Sequence, residues 1–338
     1  MAINPPEPTV FKDPGDGVST RRSPSVVQLA FVGPYGIRAG WRLLLFAAIA
    51  AAFAGILAAP LSLLGPHAPL GGTFGPATLL LGEGIPLLAA LLSAAVMARI
   101  EKRSFADYAL PGRGAFGVQF WRGATWGFLA LSALLLVVSA AQGFSFGTLA
   151  LGGGKLASYA VLWALAFLLV GFCEEFLFRG YALYTLSTGI GFWPAAVLLS
   201  ALFGAVHLTN AGETWIGGLS AALIGLFFCF TVRRTGGLWF AIGLHATWDY
   251  SESFMYSAPD SGAVVPGHLL NSSFHGPRWL TGGTVGPEGS ALVFVVIAGL
   301  FVVFDRLYRE VRFPVSKLEI RNSKGASQSS ALPLATDH

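Results

Sequence analysis

Long apolar runs separated by short polar breaks dominate the chain. A helix needs about 20 apolar residues to cross about 30 Å of hydrocarbon. The pattern therefore predicts an all-α polytopic membrane protein with about eight transmembrane helices. The break at 209–214 is so short that the runs on either side of it could equally form a re-entrant hairpin. The runs lie near 42–64, 77–98, 122–141, 156–187, 193–211, 215–232, 237–257 and 289–306.

Composition supports this class. Hydrophobic residues make up 54% of the chain and charged residues 11%, and the mean hydropathy is +0.66. This is too little polar surface for a soluble globule of this length, and the 43 glycines would let membrane helices approach closely. The sequence pI of about 9.2 does not indicate nucleic acid, because the basic residues lie at the ends of apolar runs. We expect the lipid bilayer as a partner and no nucleic acid.

The basic residues also predict the topology. Those between spans and at both ends of the chain fall on one side, while the opposite loops carry only Lys155 and Arg278. By the positive-inside rule both termini are cytoplasmic and the loop at 258–288 faces outward. We expect a multi-pass protein of a bacterial inner (plasma) membrane. The residues on the cytoplasmic side are Arg21, Arg22, Arg38, Arg42, Arg99, Lys102, Arg103, Arg113, Arg122, Arg233, Arg234, Arg306, Arg309, Arg312, Lys317, Arg321 and Lys324.

Three regions are predicted along the chain. Residues 1–37 are rich in proline and scattered charge and lack a cleavable apolar core, which is typical of a disordered cytoplasmic tail and not of a signal peptide. Residues 38–312 form the transmembrane helical domain, with a motif core at 156–257. Residues 313–338 form a polar C-terminal tail.

Two adjacent carboxylates, Glu174 and Glu175, lie inside the fourth apolar run. A charge at the centre of a spanning helix costs about 2.5–3.5 kcal/mol on insertion scales, so such groups face the bundle interior and indicate function. Glu175 and Arg179 are four residues apart and share a helix face, so they can pair. Glu174 points elsewhere and is free to act as a base toward water. A pair that only holds helices together would not explain Glu174.

Two later spans carry further titratable groups. His207 lies in the fifth run; alone it would more often be a helix-helix hydrogen-bond donor than a ligand. In the seventh run His245, Asp249 and Glu252 follow at helical spacing and present an imidazole and two carboxyls on one face. Three spans therefore each supply such groups, which predicts one shared water-filled site in the bundle interior.

The ordered motifs Glu-Glu-x-x-x-Arg, Phe-x-x-x-His and His-x-x-x-Asp, within about 170–250, resemble the CPBP family. This family comprises the CAAX proteases and bacteriocin-processing enzymes, also called Abi proteins. The resemblance implies an intramembrane endopeptidase with eight helices. Carried over by position, Glu174 would be the general base aided by His207, His245 and Asp249 would stabilise the oxyanion, and Glu175 and Arg179 would be the supporting pair.

Asp249 departs from the pattern, because members that act on prenylated proteins commonly carry Asn there. An ionised aspartate would repel an oxyanion, whereas an amide donates a hydrogen bond to it. Either Asp249 is held protonated by its apolar surroundings, or it orients and charges His245. The departure weakens the assignment of a prenyl substrate more than the assignment of an enzyme.

The need for a metal is left open by the residues. Glu174, His207 and His245 could ligate zinc, but the chain has no His-Glu-x-x-His helix and the same residues could activate water without a metal. We expect no obligatory cofactor and keep a metalloprotease with zinc as the alternative. Glu83, in the second run, could line the cavity, partner Arg179, or simply be a carboxyl that a kink in its helix exposes to water.

The leading function is hydrolysis of a peptide bond in a protein or peptide that is anchored in the membrane or lipidated. A proton-coupled transporter is one alternative, since buried acids also suit a proton relay, and it would be favoured by symmetry-related halves with broken helices. A second alternative is a catalytically silent scaffold or immunity protein, which is supported by the departure from the family pattern at Asp249. The intact Glu174, His207 and His245 argue against that silence.

Overall fold

The computed structural model describes residues 30–33, 36–62 and 75–313 of the 338 in the chain. The tails predicted at 1–37 and 313–338 lie almost wholly outside the described residues. The described residues up to Arg38 and those from Ala39 onward form two separate units. In the first unit, strands β1 (Val32–Gly33) and β2 (Gly36–Ile37) pair as a short antiparallel hairpin.

The second unit is a bundle of apolar helices, which confirms the predicted all-α polytopic membrane class. The described residues contain no closed sheet, and the two-residue strands β3 (Phe144–Ser145) and β4 (Ser273–Phe274) only join two loops. The helices are α1 Ala39–Ser62, α2 Pro76–Glu101, α3 Val118–Ala140, α4 Gly153–Glu175, α5 Ala182–Ile190, α6 Phe192–His207, α7 Trp215–Thr235, α8 Trp239–Asp249, α9 Arg278–Thr281 and α10 Ala291–Leu307.

Every apolar run coincides with a helix of the bundle. Among the described residues, five helices are long and apolar enough to cross a membrane: α1, α2, α3, α7 and the continuous helix made by α4 and α5. Helix α6 has 16 residues, which is about 24 Å, and is shorter than a full crossing. It packs closely against α7. The loop that joins them begins directly after His207.

Helix α8 lies at the centre of the bundle because glycines let its neighbours approach its backbone. A Cβ added to Gly123 of α3 would lie 2.0 Å from the carbonyl oxygen of Phe240, and one added to Gly127 would lie 2.2 Å from that of Leu244. Gly171 of α4 faces α8 on its other side. This is the close packing of small residues that membrane helices use. It buries His245 in the core, where it is 9% exposed.

Both helices that carry acidic motif residues continue as π-helix directly after them. The segment Phe176–Tyr181 follows Glu175 and joins α4 to α5, and Tyr250–Met255 follows Asp249. Such π-helical turns are rare and occur frequently at functional sites. They widen the helix where side chains enter the bundle interior.

Candidate active site

The motif residues meet at a cavity of about 490 Å³ inside the bundle. This is within the usual range of ligand pockets. Its wall includes the side chains of Glu83, Glu174, His207, His245 and Asp249, which come from α2, α4, α6 and α8. Apolar residues from α4, α7 and α10 complete it, and the loops after α6 and α8 form its rim. The structure therefore brings groups from separate apolar runs to one place.

His245 contacts an acidic side chain through each ring nitrogen. Its Nδ1 lies 2.9 Å from Oε1 of Glu175. Its Nε2 lies 3.7 Å from Oε2 of Glu174 and 3.5 Å from Oδ2 of Asp249. The imidazole also stacks on the ring of Phe228, with centroids 5.2 Å apart. One face of the ring and one nitrogen are thus held by the protein, and the other nitrogen faces the cavity.

The contacts of Glu175 determine which nitrogen of His245 carries hydrogen. Arg179 donates a hydrogen bond from Nη1 to Oε1 of Glu175 at 3.0 Å, and both side chains are fully buried. The guanidinium favours the ionised carboxylate, which can only accept hydrogen bonds. Nδ1 of His245 must therefore carry a hydrogen and donate it. Nε2 is left to act in the cavity.

The guanidinium of Arg179 packs between the ring of Phe203 and the backbone at Gly225. Its guanidinium lies over the ring of Phe203, 4.1 Å from the centroid, which is a cation–π contact. Gly225 of α7 makes the space, because a Cβ there would lie 2.4 Å from Nη2 of Arg179. A buried positive charge is thereby kept against Glu175.

Glu174 is less enclosed than its neighbour. Its side chain is 24% exposed, whereas that of Glu175 is fully buried. Oε2 of Glu174 has no hydrogen-bond partner among the described residues. Its carboxylate borders the cavity and is available to a bound water.

His207 lies at the last position of α6, partly buried, on the cavity wall. Its Nδ1 lies 2.8 Å from the backbone carbonyl oxygen of Phe203, and the two rings are 4.3 Å apart. Because a carbonyl only accepts, Nδ1 carries the hydrogen here as well. Nε2 is the remaining polar atom of the ring.

Glu83 and Glu252 differ in their placement. Glu83 lies on the cavity wall beside Cys173, with whose thiol it shares a hydrogen bond, and the ion pair of Arg179 is with Glu175. Glu252 is fully buried and does not line the cavity. Its carboxylate lies next to those of Asp260 and Glu288.

The donor atoms of Glu174, His207 and His245 do not form a zinc set in this arrangement. Zinc–ligand distances of about 2.0–2.2 Å require donors within about 4.4 Å of one another. In the part of the chain that the structure describes, one group of three acidic, cysteine or histidine residues has its donor atoms within 4.8 Å, and it is Glu252, Asp260 and Glu288.

Sequence reasoning did not anticipate Asp260 and Glu288, although both line the cavity. Asp260 lies in the loop after α8 and Glu288 in a short turn before α10, and such residues follow no long helical period that could assign them to a face. Burial raises the pKa of the Asp260 carboxyl well above its usual range, and the nearby charges of Asp249 and Glu288 raise it further.

Residues 156–251 match the family model for the Type II CAAX prenyl endopeptidase Rce1-like proteins. The matched range contains all three motifs, and the match confirms the recognition of the CAAX protease family. No curated protein and no solved structure gives a significant match. The apolar helices indicate a multi-pass membrane protein, and residues 156–251 of it are similar to a family of peptidases.

Proposed function

We propose that the protein is an intramembrane endopeptidase that hydrolyses a peptide bond of a membrane-associated protein with water activated by Glu174. The observation that supports this most is the position of Nε2 of His245. It lies 3.7 Å from Glu174 and 3.5 Å from Asp249 at the wall of the cavity, while Nδ1 is held by Glu175. A free carboxylate and an oriented imidazole at one cavity are the two parts that peptide hydrolysis needs.

Glu174 acts as the general base in the first step. Its carboxylate takes a proton from a bound water as the water oxygen forms a bond to the scissile carbonyl carbon. The carbonyl electrons move to oxygen and give a tetrahedral oxyanion. Glu174 then passes its proton to the amide nitrogen, the C–N bond breaks, and an acid and an amine leave.

The oxyanion is stabilised by hydrogen-bond donors on the opposite wall. His245 and Asp249 share one proton across their 3.5 Å contact, so one of them can donate to the developing charge. His207 instead assists Glu174 from α6, because the Nε2 of its ring can accept a hydrogen bond from the attacking water. Glu175 and Arg179 act through His245 and do not touch substrate, so they are positioning residues.

The substrate reaches the cavity from the outward side of a bacterial plasma membrane. The rim includes Asn210 and Ala211, which lie just before α7, whereas Arg233 and Arg234 lie at the far end of this helix. Because α7 has 21 residues and is about 30 Å long, the two ends lie on opposite membrane faces. With the basic residues cytoplasmic, the rim faces outward.

The test is a cleavage assay with the full-length protein in liposomes. Glu174→Gln should abolish cleavage of a membrane-anchored peptide and leave the melting temperature unchanged, because it removes the base without changing volume. Glu310→Gln is the matched control, since Glu310 is exposed and, among the described residues, its ion pair is with Arg312. Turnover by Glu174→Gln at the wild-type rate would refute the assignment of the base.

Lipidation of the substrate is tested in the same assay. One arm offers a peptide with a prenylated cysteine, and a second arm offers the same peptide anchored by a transmembrane segment. Since Asp249 replaces the Asn that is common in prenyl-protein members, we expect the second arm to be cleaved at least as fast. Cleavage of the prenylated peptide alone would instead assign a prenyl substrate.

A further inference from the structure

Three carboxylates from three separate segments converge below the rim of the cavity. Glu252 comes from the π-helical end of α8, Asp260 from the loop that follows, and Glu288 from the 3₁₀ turn Pro287–Gly289 before α10. One carboxylate oxygen of each lies within 4.8 Å of the other two. Two oxygens that bind one Ca²⁺ at about 2.4 Å can be at most about 4.8 Å apart. The spacing therefore admits a single calcium ion.

Glu252 provides a second and independent observation. Its side chain is fully buried, and neither of its carboxylate oxygens has a hydrogen-bond partner among the described residues. The indole N–H of Trp248 lies beside this carboxylate and interacts with it, but outside the geometry of a regular hydrogen bond. A buried carboxylate without partners is costly unless a proton or a bound cation neutralises it. No lysine or arginine forms an ion pair with the three carboxylates in the described ranges.

The protein structure around the cluster holds these acids together. Ser253 donates a hydrogen bond to Asp260 at 3.1 Å, and Ser261 donates one to Glu288 at 2.9 Å. Gly286 has φ +99° and a Cβ there would lie 1.9 Å from the carbonyl oxygen of Pro259, so only glycine allows this turn to approach Glu252. These hydrogen bonds and this turn thus hold the three acidic side chains close to one another.

We propose that Glu252, Asp260 and Glu288 bind a divalent cation, Ca²⁺ in preference to Zn²⁺. Three carboxylates and no imidazole or thiolate form a hard oxygen set, which calcium prefers and zinc does not. The site is distinct from the catalytic residues. Bound calcium ties the loop after α8 and the turn before α10 to the end of the helix that carries His245 and Asp249.

Binding is measured first, in the absence of substrate, so that the result does not depend on the proposed peptidase activity. The purified full-length protein in lipid nanodiscs is stripped with a chelator and titrated with Ca²⁺ from about 0.1 μM to 5 mM, which covers sensor and extracellular affinities. We expect one Ca²⁺ per chain and a rise in melting temperature that saturates with it. Mg²⁺ and Zn²⁺ are titrated in parallel.

Variants assign the ion to the cluster. Glu252→Gln should weaken Ca²⁺ binding by at least about tenfold, as loss of a metal-site partner does. Glu310→Gln, at an exposed glutamate outside the cluster, should bind Ca²⁺ as the wild type does. Because Glu252→Gln relieves an uncompensated buried charge, the metal-free variant should melt no lower than the metal-free wild type. This combination separates loss of the site from misfolding.

The contrary outcomes are equally definite. No Ca²⁺-dependent shift in the wild type, or an equal shift in Glu252→Gln, would overturn the proposal. Ca²⁺ binding that Glu174→Gln and His245→Ala remove while Glu252→Gln retains it would also overturn it, because the ion would then belong to the catalytic residues.

Discussion

Glu175→Gln is the substitution with the sharpest expected result. Oε1 of Glu175 accepts hydrogen bonds from Arg179 at 3.0 Å and from His245 at 2.9 Å. Glutamine has nearly the same shape but no charge. The change therefore removes the counter-charge of a fully buried guanidinium and the charged acceptor that orients the imidazole. Both stability and catalysis should suffer, for separate reasons.

The magnitudes can be set from analogous effects. Breaking a buried ion pair from one side costs about 3–5 kcal/mol of the free energy of unfolding, because the other charge stays buried. Replacing the acidic partner of a catalytic histidine by its amide lowers kcat by about 10⁴ in hydrolytic triads. We expect a loss of about 10²–10⁴ in kcat, which corresponds to about 2.7–5.5 kcal/mol of transition-state stabilisation.

A double variant separates the two effects. Glu175→Gln combined with Arg179→Met removes both charges, and uncharged replacements of buried pairs are often as stable as the pair. It should recover the melting temperature of the wild type in nanodiscs while kcat in the liposome cleavage assay stays low. A double variant that recovers both would refute an orienting role for Glu175 and leave it a purely structural residue.

The other predictions concern the same cavity. Glu174→Gln and His245→Ala should each lower kcat/KM strongly and their combination should add little, since parts of one site lose function non-additively; independent multiplicative losses would contradict this. Asp249→Asn should keep activity within about tenfold and extend the pH–rate profile to higher pH, because an amide donates a hydrogen bond at every pH. Glu175 already fixes the tautomer of His245, so the loss of the Asp249 charge should not matter there. A loss of about 10⁴ in activity would mean that Asp249 orients His245. Gly225→Ala should cost about 1–3 kcal/mol of stability in chemical unfolding, because its methyl group would displace the guanidinium 2.4 Å away, whereas Gly299→Ala, exposed on α10 with open space around it, should be neutral.

The elements of the fold could be predicted from the sequence because a bilayer leaves few choices. Every backbone amide of a lipid-exposed segment must be hydrogen-bonded within the segment, so each apolar run of sufficient length becomes a helix. The same applies to contacts within one turn. Glu175 and Arg179 are four residues apart, and the structure places them as an ion pair at 3.0 Å.

Contacts between different helices could not be predicted from the sequence pattern. That Glu175 also accepts a hydrogen bond from His245 depends on how closely α4 approaches α8, and this distance is determined by glycines such as Gly171. The sequence left open whether Asp249 orients His245. The structure places Glu175 at Nδ1 and Asp249 at Nε2, which no spacing along one helix could distinguish.

The sequence by itself thus determined the membrane class, the helical runs and the three motifs, because these follow from local hydrophobicity and helical periodicity. Only the tertiary structure decided which nitrogen of His245 faces the cavity and which acids surround Glu252. Asp260 and Glu288 reach that carboxylate through the loop after α8 and the turn before α10. The reason is physical, since a loop has no repeating geometry and its residues acquire neighbours only when the chain closes over the bundle.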